Sequence, residues 1–314
     1  MSTRPVAGTD YPGSEPEFDR FFPDEAACLD YLVRLRWPGG FVCPAPGCGA
    51  TGWLTKRGTY ACGTCGKHTS PTAGTIFEGT RKPLRQWFRV AWRITNSKKG
   101  IAALEVAGAM GMEHKTAWTW LHKFRRAMVV PDRKPLSGTV EVDETFVGGV
   151  EHGVSGQQTL TKSIVVVAVE RPGVGRYGRI RLTRVPDKTT ATLHAFVLGN
   201  IVPGSTVITD GWPSYKGLHK KGYTLTQVPI KGSGYTGSQL LPGVHLVASH
   251  LDRVWLGTHH GAIRKRHLDA YLDEFVFRFN RRGSKQRGLL FYRLMEGAVA
   301  TGPAPLRDIR GGKP

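Results

Sequence analysis

Two aspartates stand where a carboxylate is expensive unless it serves a ligand. Asp143 lies in "VEVDETFVGG", a β-branched, alternating run that predicts a strand, and Asp210 ends the shorter strand "VITD" just before "GWPSY". A buried, unpaired carboxylate carries a large desolvation cost. Acids at strand ends on one sheet edge are, however, well placed to share divalent ions. Two Mg²⁺ or Mn²⁺ ions about 3.5–4 Å apart would activate a water or a 3′-hydroxyl and stabilise the leaving oxygen of a phosphodiester. Asp143 would bridge the ions and Asp210 would hold one. Plainer readings stay open. Asp143 could pair with an arginine of "RIRLTR", Glu141 or Glu144 could be the working acid, and Asp210 before glycine could be turn chemistry.

The second constellation is sulfur. Cys43 and Cys48 form C-x4-C, and after a gap of 13 residues Cys62 and Cys65 form C-x2-C. In a chain with no apolar secretory segment at its start, this spacing reads as a structural Zn²⁺ ribbon rather than two disulfides. Four thiolates close a tetrahedron and leave no position for water, so no chemistry is expected there. His68 could substitute for a ligand, but four cysteines suffice. Cys28, in "DEAACLDYLVRLRW", reads as a buried apolar residue of a helix.

These residues need elements to hold them. Residues 1–20 read as a disordered leader, and 21–82 as an N-terminal helix followed by the ribbon. Residues 83–130 read as a helical region in which "KKGIAALEVAGAMGMEHKTAWTWLHKFRRAM" gives two helices about a glycine turn. The second helix is rich in Lys, His, Thr and Arg, which predicts a helix-turn-helix whose Lys115, Thr116, Trp118, Lys123, Arg125 and Arg126 face DNA. A plain three-helix bundle would read similarly. After the linker 130–138 the chain becomes strand-rich: "KSIVVVAVE", "RYGRIRLTRV", a helix in "TTATLHAFVLGNIV", then "STVITD" and "YTLTQVPI". From about 240 it is helical again. That order is close to a ribonuclease-H-like α/β domain, set at 138–295, with 296–314 as a flexible basic tail.

The 314 residues carry 44 Lys+Arg against 24 Asp+Glu, a net charge of +20. Such a field attracts polyanions, and nucleic acid is the leading partner. No run approaches the roughly 18 apolar residues of a spanning helix, and the mean hydropathy is −0.26, so a cytoplasmic, nucleoid-associated protein is expected. Arg253, His259, Arg264, Lys265, Arg281 and Arg282, on a turn and two flanking helical stretches, suit phosphate contacts. Asp273 and Glu274 read as fold residues.

The segments "FPDEAACLDYLVRLRWPGGFVCP", "ACGTCGKHTSPTAGTIFEGTRKPL", "KTAWTWLHKFRRAM", "VEVDETFVGG", "ITDGWPSY" and "GTHHGAIRKRHLDAYLDEFVFRFNRR" together resemble one family. It is the zinc-ribbon, DDE-type transposases of prokaryotic insertion sequences, the fifteen-ninety-five group. The resemblance covers roughly 20–290. It implies a multidomain chain: a small N-terminal zinc ribbon, a helix-turn-helix region and a ribonuclease-H-like α/β catalytic domain of DDE or DDH type. It also implies binding of terminal inverted repeats, metal-dependent cleavage and strand transfer, and a homodimer or higher oligomer on DNA. By motif, Asp143 and Asp210 fall on the first two catalytic acids. Counting back from "GTHHG" puts His245 at the third, where some members carry glutamate and other subgroups asparagine or histidine. Asp252 then stands where such members have lysine. Imidazole in place of a carboxylate would favour Mn²⁺ over Mg²⁺. A catalytically silent DNA-binding regulator and a repair nuclease are the competing readings.

Overall fold

The computed structural model describes residues 4–129, 133–148, 161–228, 234–261 and 263–311. The chain forms two compact units, one from residues 1–130 together with 283–312, the other from 131–282.

The first unit is helical around an aromatic core. Ser14 and Asp24 cap α1 (Glu15–Phe21) and α2 (Glu25–Arg36), each side chain accepting an N–H from the first turn. Next come the ribbon strands β1 (Gly52–Leu54), β2 (Tyr60–Cys62) and β3 (His68–Thr69), an antiparallel three-stranded sheet. Then follow α3 (Leu84–Asn96), α4 (Ala103–Met110) and α5 (His114–Ala127). Gly111, at φ 58°, reverses the chain between α4 and α5, a conformation that glycine adopts without a Cβ penalty. Phe18, Phe22, Phe88 and Phe291 are buried without exposure and meet edge-on or tilted.

The ends of the chain depart from the sequence expectation. The leader 1–20 is not a loose segment where it is described: Tyr11 and Phe18 are buried, and Tyr31 Oη donates to the Asp10 carbonyl at 2.9 Å. Residues 1–3 and 312–314 lie outside the described residues. The tail expected to be flexible continues the fold. Helix α10 (Gly288–Ala300, following the second unit's elements named below) packs in the first unit, and Ala304 and Ile309 are buried beyond it. The physical reason is a run of apolar residues, Leu290, Phe291, Leu294, Met295 and Ala298, that finds its partners in α2, α3 and α5.

The second unit is a five-stranded sheet with helices on both faces. Its strands are β4 (Thr139–Val147), β5 (Ser163–Glu170), β6 (Ile180–Val185), β7 (Thr206–Asp210) and β8 (Thr224–Val228). They are ordered β6-β5-β4-β7-β8, with β5 antiparallel to both β4 and β6, and β7 and β8 parallel to β4. Three strands, a helix and two further strands follow one another along the chain, as expected from the sequence. Pro229 and Ile230, expected in the last strand, lie outside the described residues. Helix α6 (Thr190–Asn200) covers one face. The other is covered by α8 (Pro242–His259), which follows the one-turn α7 (Gly237–Leu240), and by α9 (Leu268–Phe279). The near-continuous apolar run of β5 follows from this sandwiching. Val165, Val167 and Val169 join the α8/α9 core, and Val166 and Ala168 join the α6 core. The chain ends with α10 and α11 (Leu306–Gly311). Among the described residues no helix is long and apolar enough to cross a membrane.

Candidate active site

Strand register brings the two aspartates together. β4 pairs with β7 through Thr139↔Thr206, Val140↔Val207 and Glu141↔Ile208, and that register continued two residues past the last pair would set Asp143 opposite Asp210, whose charge acts on it. Opposed residues of parallel strands share a face. Which face is fixed by Val167, the antiparallel partner of Asp143, whose side chain belongs to the α8/α9 core. Asp143 and Asp210 therefore lie on the side of the sheet that α8, the helix of His245, covers. Glu144 points to the opposite side.

The electrostatics are those of a crowded anionic site. Burial, followed by the Asp210 carboxylate, pushes the Asp143 carboxyl up to about 7, against which the Glu144 N–H donates to Asp143 Oδ1 at 2.8 Å. Glu144 is raised too, chiefly by burial, while Tyr215 Oη donates to its Oε1. Asp210 Oδ1 accepts from the Trp212 N–H at 3.0 Å, which shapes the turn after β7.

Glu141, left open above as a candidate acid, has a different task. It is fully buried, with Oε1 2.9 Å from Arg171 Nη1 and Oε2 accepting the Val244 N–H at 3.0 Å. The Arg171 contact is a close ion pair. Glu141 is thus an anion at the N-terminus of α8, where unpaired N–H groups and the helix dipole favour it. Gly243 permits the approach, since a Cβ there would lie 2.8 Å from Glu141 Oε2 and 2.9 Å from the Tyr177 ring. The turn of α8 that carries His245 is held on the strand that carries Asp143.

His245 Nε2 is buried with no hydrogen-bond partner, and burial lowers the imidazole below its ordinary value. A neutral imidazole with an unmatched nitrogen is the state a metal ligand needs. The structure does not, however, draw it up to the acids. Among the described residues only the four cysteines gather three or more ligand-type atoms within 4.8 Å of one another. Asp252 is exposed, its carboxyl raised by partial desolvation. The acids fit a hard, oxygen-preferring dication.

The cysteines fit zinc. Cys43 and Cys65 Sγ are 3.6 Å apart, as are Cys48 and Cys62, close to the roughly 3.8 Å edge of a tetrahedron with 2.3 Å Zn–S bonds. Cys62 Sγ accepts from the Cys65 and Thr64 N–H groups, which lowers that thiol to about 6. His68 instead contacts Thr59 Oγ1 and is exposed.

The expected DNA-facing residues divide. Lys115 is exposed and Thr116, Trp118 and Arg126 are half-buried, with Trp118 packed on His122. Lys123 and Arg125 are corrections. Lys123 Nζ donates to the Ile76 carbonyl at 3.1 Å beside the Trp87 ring, and Arg125 is 1% exposed. Helix α5 packs against α3, α4 and α10, so its second half lies inside the bundle and only its first turns stay open. In the second unit Arg253, Arg264 and Lys265 are exposed, and His259 packs edge-on against Tyr271. Arg281 lies over the Phe277 ring and donates to its carbonyl. Arg282 spans the carbonyls of Tyr177, Gly178 and Phe279, an anchoring arrangement. Glu274 is buried in an ion pair with Arg278 at 2.9 Å, as expected of a fold residue.

Known proteins match along both units. The ISXO2-like transposase domain matches residues 135–280, and the transposase zinc-ribbon domain matches residues 23–68. The chain belongs to the IS1595-type transposases. An uncharacterized protein in transposable element ISH50 of Halobacterium salinarum is 26% identical to this transposase over 281 residues, spanning 82% of this chain and 91% of its own. Among solved structures, the catalytic core domain of BIV integrase matches with a TM-score of 0.33 and 18% identity, over 48% of this chain and 89% of that one. The Mos1 transposase paired-end complex with left transposon end matches at 0.28 and 11%, over 71% and 79%. The transposase domain contains both aspartates, Glu141 and His245, and the ribbon match contains all four cysteines.

Sequence reasoning missed two groups in this transposase. Glu141 was weighed as a catalytic acid, and its helix-holding position depends on a contact 103 residues away. Lys188 was passed over in "PDKTT", where the visible signal is Asp187 accepting from Thr189 ahead of α6.

Proposed function

We propose that this chain is the DNA transposase of a prokaryotic insertion sequence. It binds the element's terminal inverted repeats and carries out metal-dependent strand cleavage and strand transfer. The observation that carries this reading is the Asp143–Asp210 pair, on adjacent parallel strands, with one carboxyl raised to about 7. Two carboxylates that repel one another are arranged for a cation rather than for each other. Bound there, Mg²⁺ or Mn²⁺ would polarise the phosphodiester and activate a water or a 3′-hydroxyl. Asp143 and Asp210 would supply oxygen ligands, and His245, through its unmatched Nε2, would be the third. Cys43, Cys48, Cys62 and Cys65 hold a structural Zn²⁺.

Lys115, Thr116, Trp118 and Arg126 on the open end of α5 are the end-binding candidates, with Arg253, His259, Arg264 and Lys265 as phosphate contacts from the second unit. Joining two ends calls for a homodimer or higher oligomer on DNA, working at the nucleoid in the cytoplasm. The second reading, a silent DNA-binding regulator, draws on the separation of His245 from the acids. The deciding experiment incubates purified protein with a labelled terminal repeat in Mn²⁺ and looks for 3′-end cleavage. Cleavage that Asp143→Asn abolishes while specific binding persists supports the enzyme. Binding without cleavage in any metal supports the regulator.

A further inference from the structure

Lys188 lies in the turn between β6 and α6, near enough to the acids for its charge to act on them. Its Nζ lies 4.2 Å from the centroid of the Trp212 ring and 5.6 Å from that of Phe146. Those rings belong to the residues two past Asp210 and three past Asp143. The Trp212 indole N–H reaches back to the Lys188 carbonyl at 3.5 Å, so ring and lysine backbone are tied together. Gln227 Nε2 also donates to the Trp212 carbonyl at 3.1 Å, fixing the turn that presents the ring. Lys188, Trp212, Phe146 and Asp143 are all half-buried. Its charge reaches the carboxyls of both Asp143 and Glu144.

A flexible four-carbon side chain loses rotamer freedom when held on aromatic rings, and cation–π contact offsets that loss. An ammonium so held is a point charge pre-positioned for an anion other than the carboxylates, because bound dications would neutralise those.

We propose that Lys188 is a phosphate-binding residue, whose ammonium takes a non-bridging oxygen of the DNA phosphodiester presented to Asp143 and Asp210. The proposal rests on the strand-cleavage reading above. The alternative role for the same geometry is charge compensation of the acids in the metal-free protein.

The two roles separate in one set of measurements on the full chain, using a duplex of the terminal repeat flanking the coding sequence. Lys188→Met should lower cleavage in Mn²⁺ by about 10²-fold, the scale for losing one electrostatic contact to a reacting group. In Ca²⁺, where no cleavage is looked for, the salt dependence of duplex binding should become shallower by about one phosphate. Mn²⁺ affinity without DNA should be unchanged or tighter, since a competing cation has gone, and Lys188→Arg should restore most of the activity. A methylphosphonate at the scissile position should erase the difference between wild type and Lys188→Met. If the difference persists there but vanishes with the substitution one phosphate away, the contact is to the neighbouring phosphate and the proposal fails. Wild-type-like cleavage and salt slope in Lys188→Met, or weakened Mn²⁺ binding that accounts for its whole defect, would overturn the proposal alone. A wild-type chain that cuts in no metal overturns the strand-cleavage reading itself and the proposal with it.

Discussion

Replacing Asp143 by asparagine should stabilise the metal-free protein while removing its catalytic metal. The wild-type carboxyl moves from 3.8 to about 7 on folding, because burial and the Asp210 carboxylate both oppose its charge. The folded value lies above the unfolded one, so the folded chain holds the extra proton between about pH 4 and pH 7. Stability of the metal-free protein therefore falls as pH rises through that window and levels off above it. At about 1.4 kcal/mol per pH unit the interval amounts to roughly 4 kcal/mol at pH 8, and about half of that at pH 5.5. Asparagine escapes this cost, but its amide must find partners among groups arranged for a carboxylate. A net gain of about 2 kcal/mol is reasonable at pH 8, or roughly 4–8 °C in the melting temperature of a unit this size. The assay is thermal unfolding of zinc-loaded protein dialysed free of Mg²⁺ and Mn²⁺, at both pH values. Added Mn²⁺ should raise the wild-type melting temperature and leave the variant's alone. A variant no more stable than wild type at pH 8, or a gap that ignores pH, would refute the reasoning.

Removing the ribbon's metal should be a local event with a stoichiometric readout. Cys62→Ser should reduce bound zinc from one per chain to none in a colorimetric release assay and expose the ribbon to protease. Glu141→Ala leaves the Arg171 charge and the α8 N–H groups without their anion, a change on the scale of about 3–5 kcal/mol, read as a lower melting temperature. Gly243→Ala should weaken Mn²⁺ binding by pushing α8 off Glu141, with a stability loss of about 1–3 kcal/mol. Arg125→Ala should destabilise the first unit in thermal unfolding, since Arg125 is buried. Lys115→Ala should leave stability alone and make the salt dependence of DNA binding shallower by about one phosphate.

The parts of this fold legible in sequence are those whose causes are local. The cysteine spacing is set by the turns that fold each knuckle, and the strand order follows from alternation and from the doubly buried run of β5. Asp143 stood out because a carboxylate inside an apolar strand needs a reason. What could not be read depended on distant partners. The basic residues of α5 form a helical face on paper, yet neighbouring helices close over Lys123 and Arg125. The apolar stripe of α10 announces burial but not in which unit. Glu141 and Lys188 owe their positions to α8 and to the turn after β7, so "VEVDE" and "PDKTT" carry no local signal of either.

The assignment of Asp143 and Asp210 as the metal-holding pair is tested most directly by anomalous scattering from crystals soaked in Mn²⁺. The pair predicts a manganese peak between the two carboxylates, about 2.1–2.3 Å from an oxygen of each and with His245 Nε2 drawn into ligand range. Manganese bound elsewhere in the second unit, with that site left empty, would contradict it.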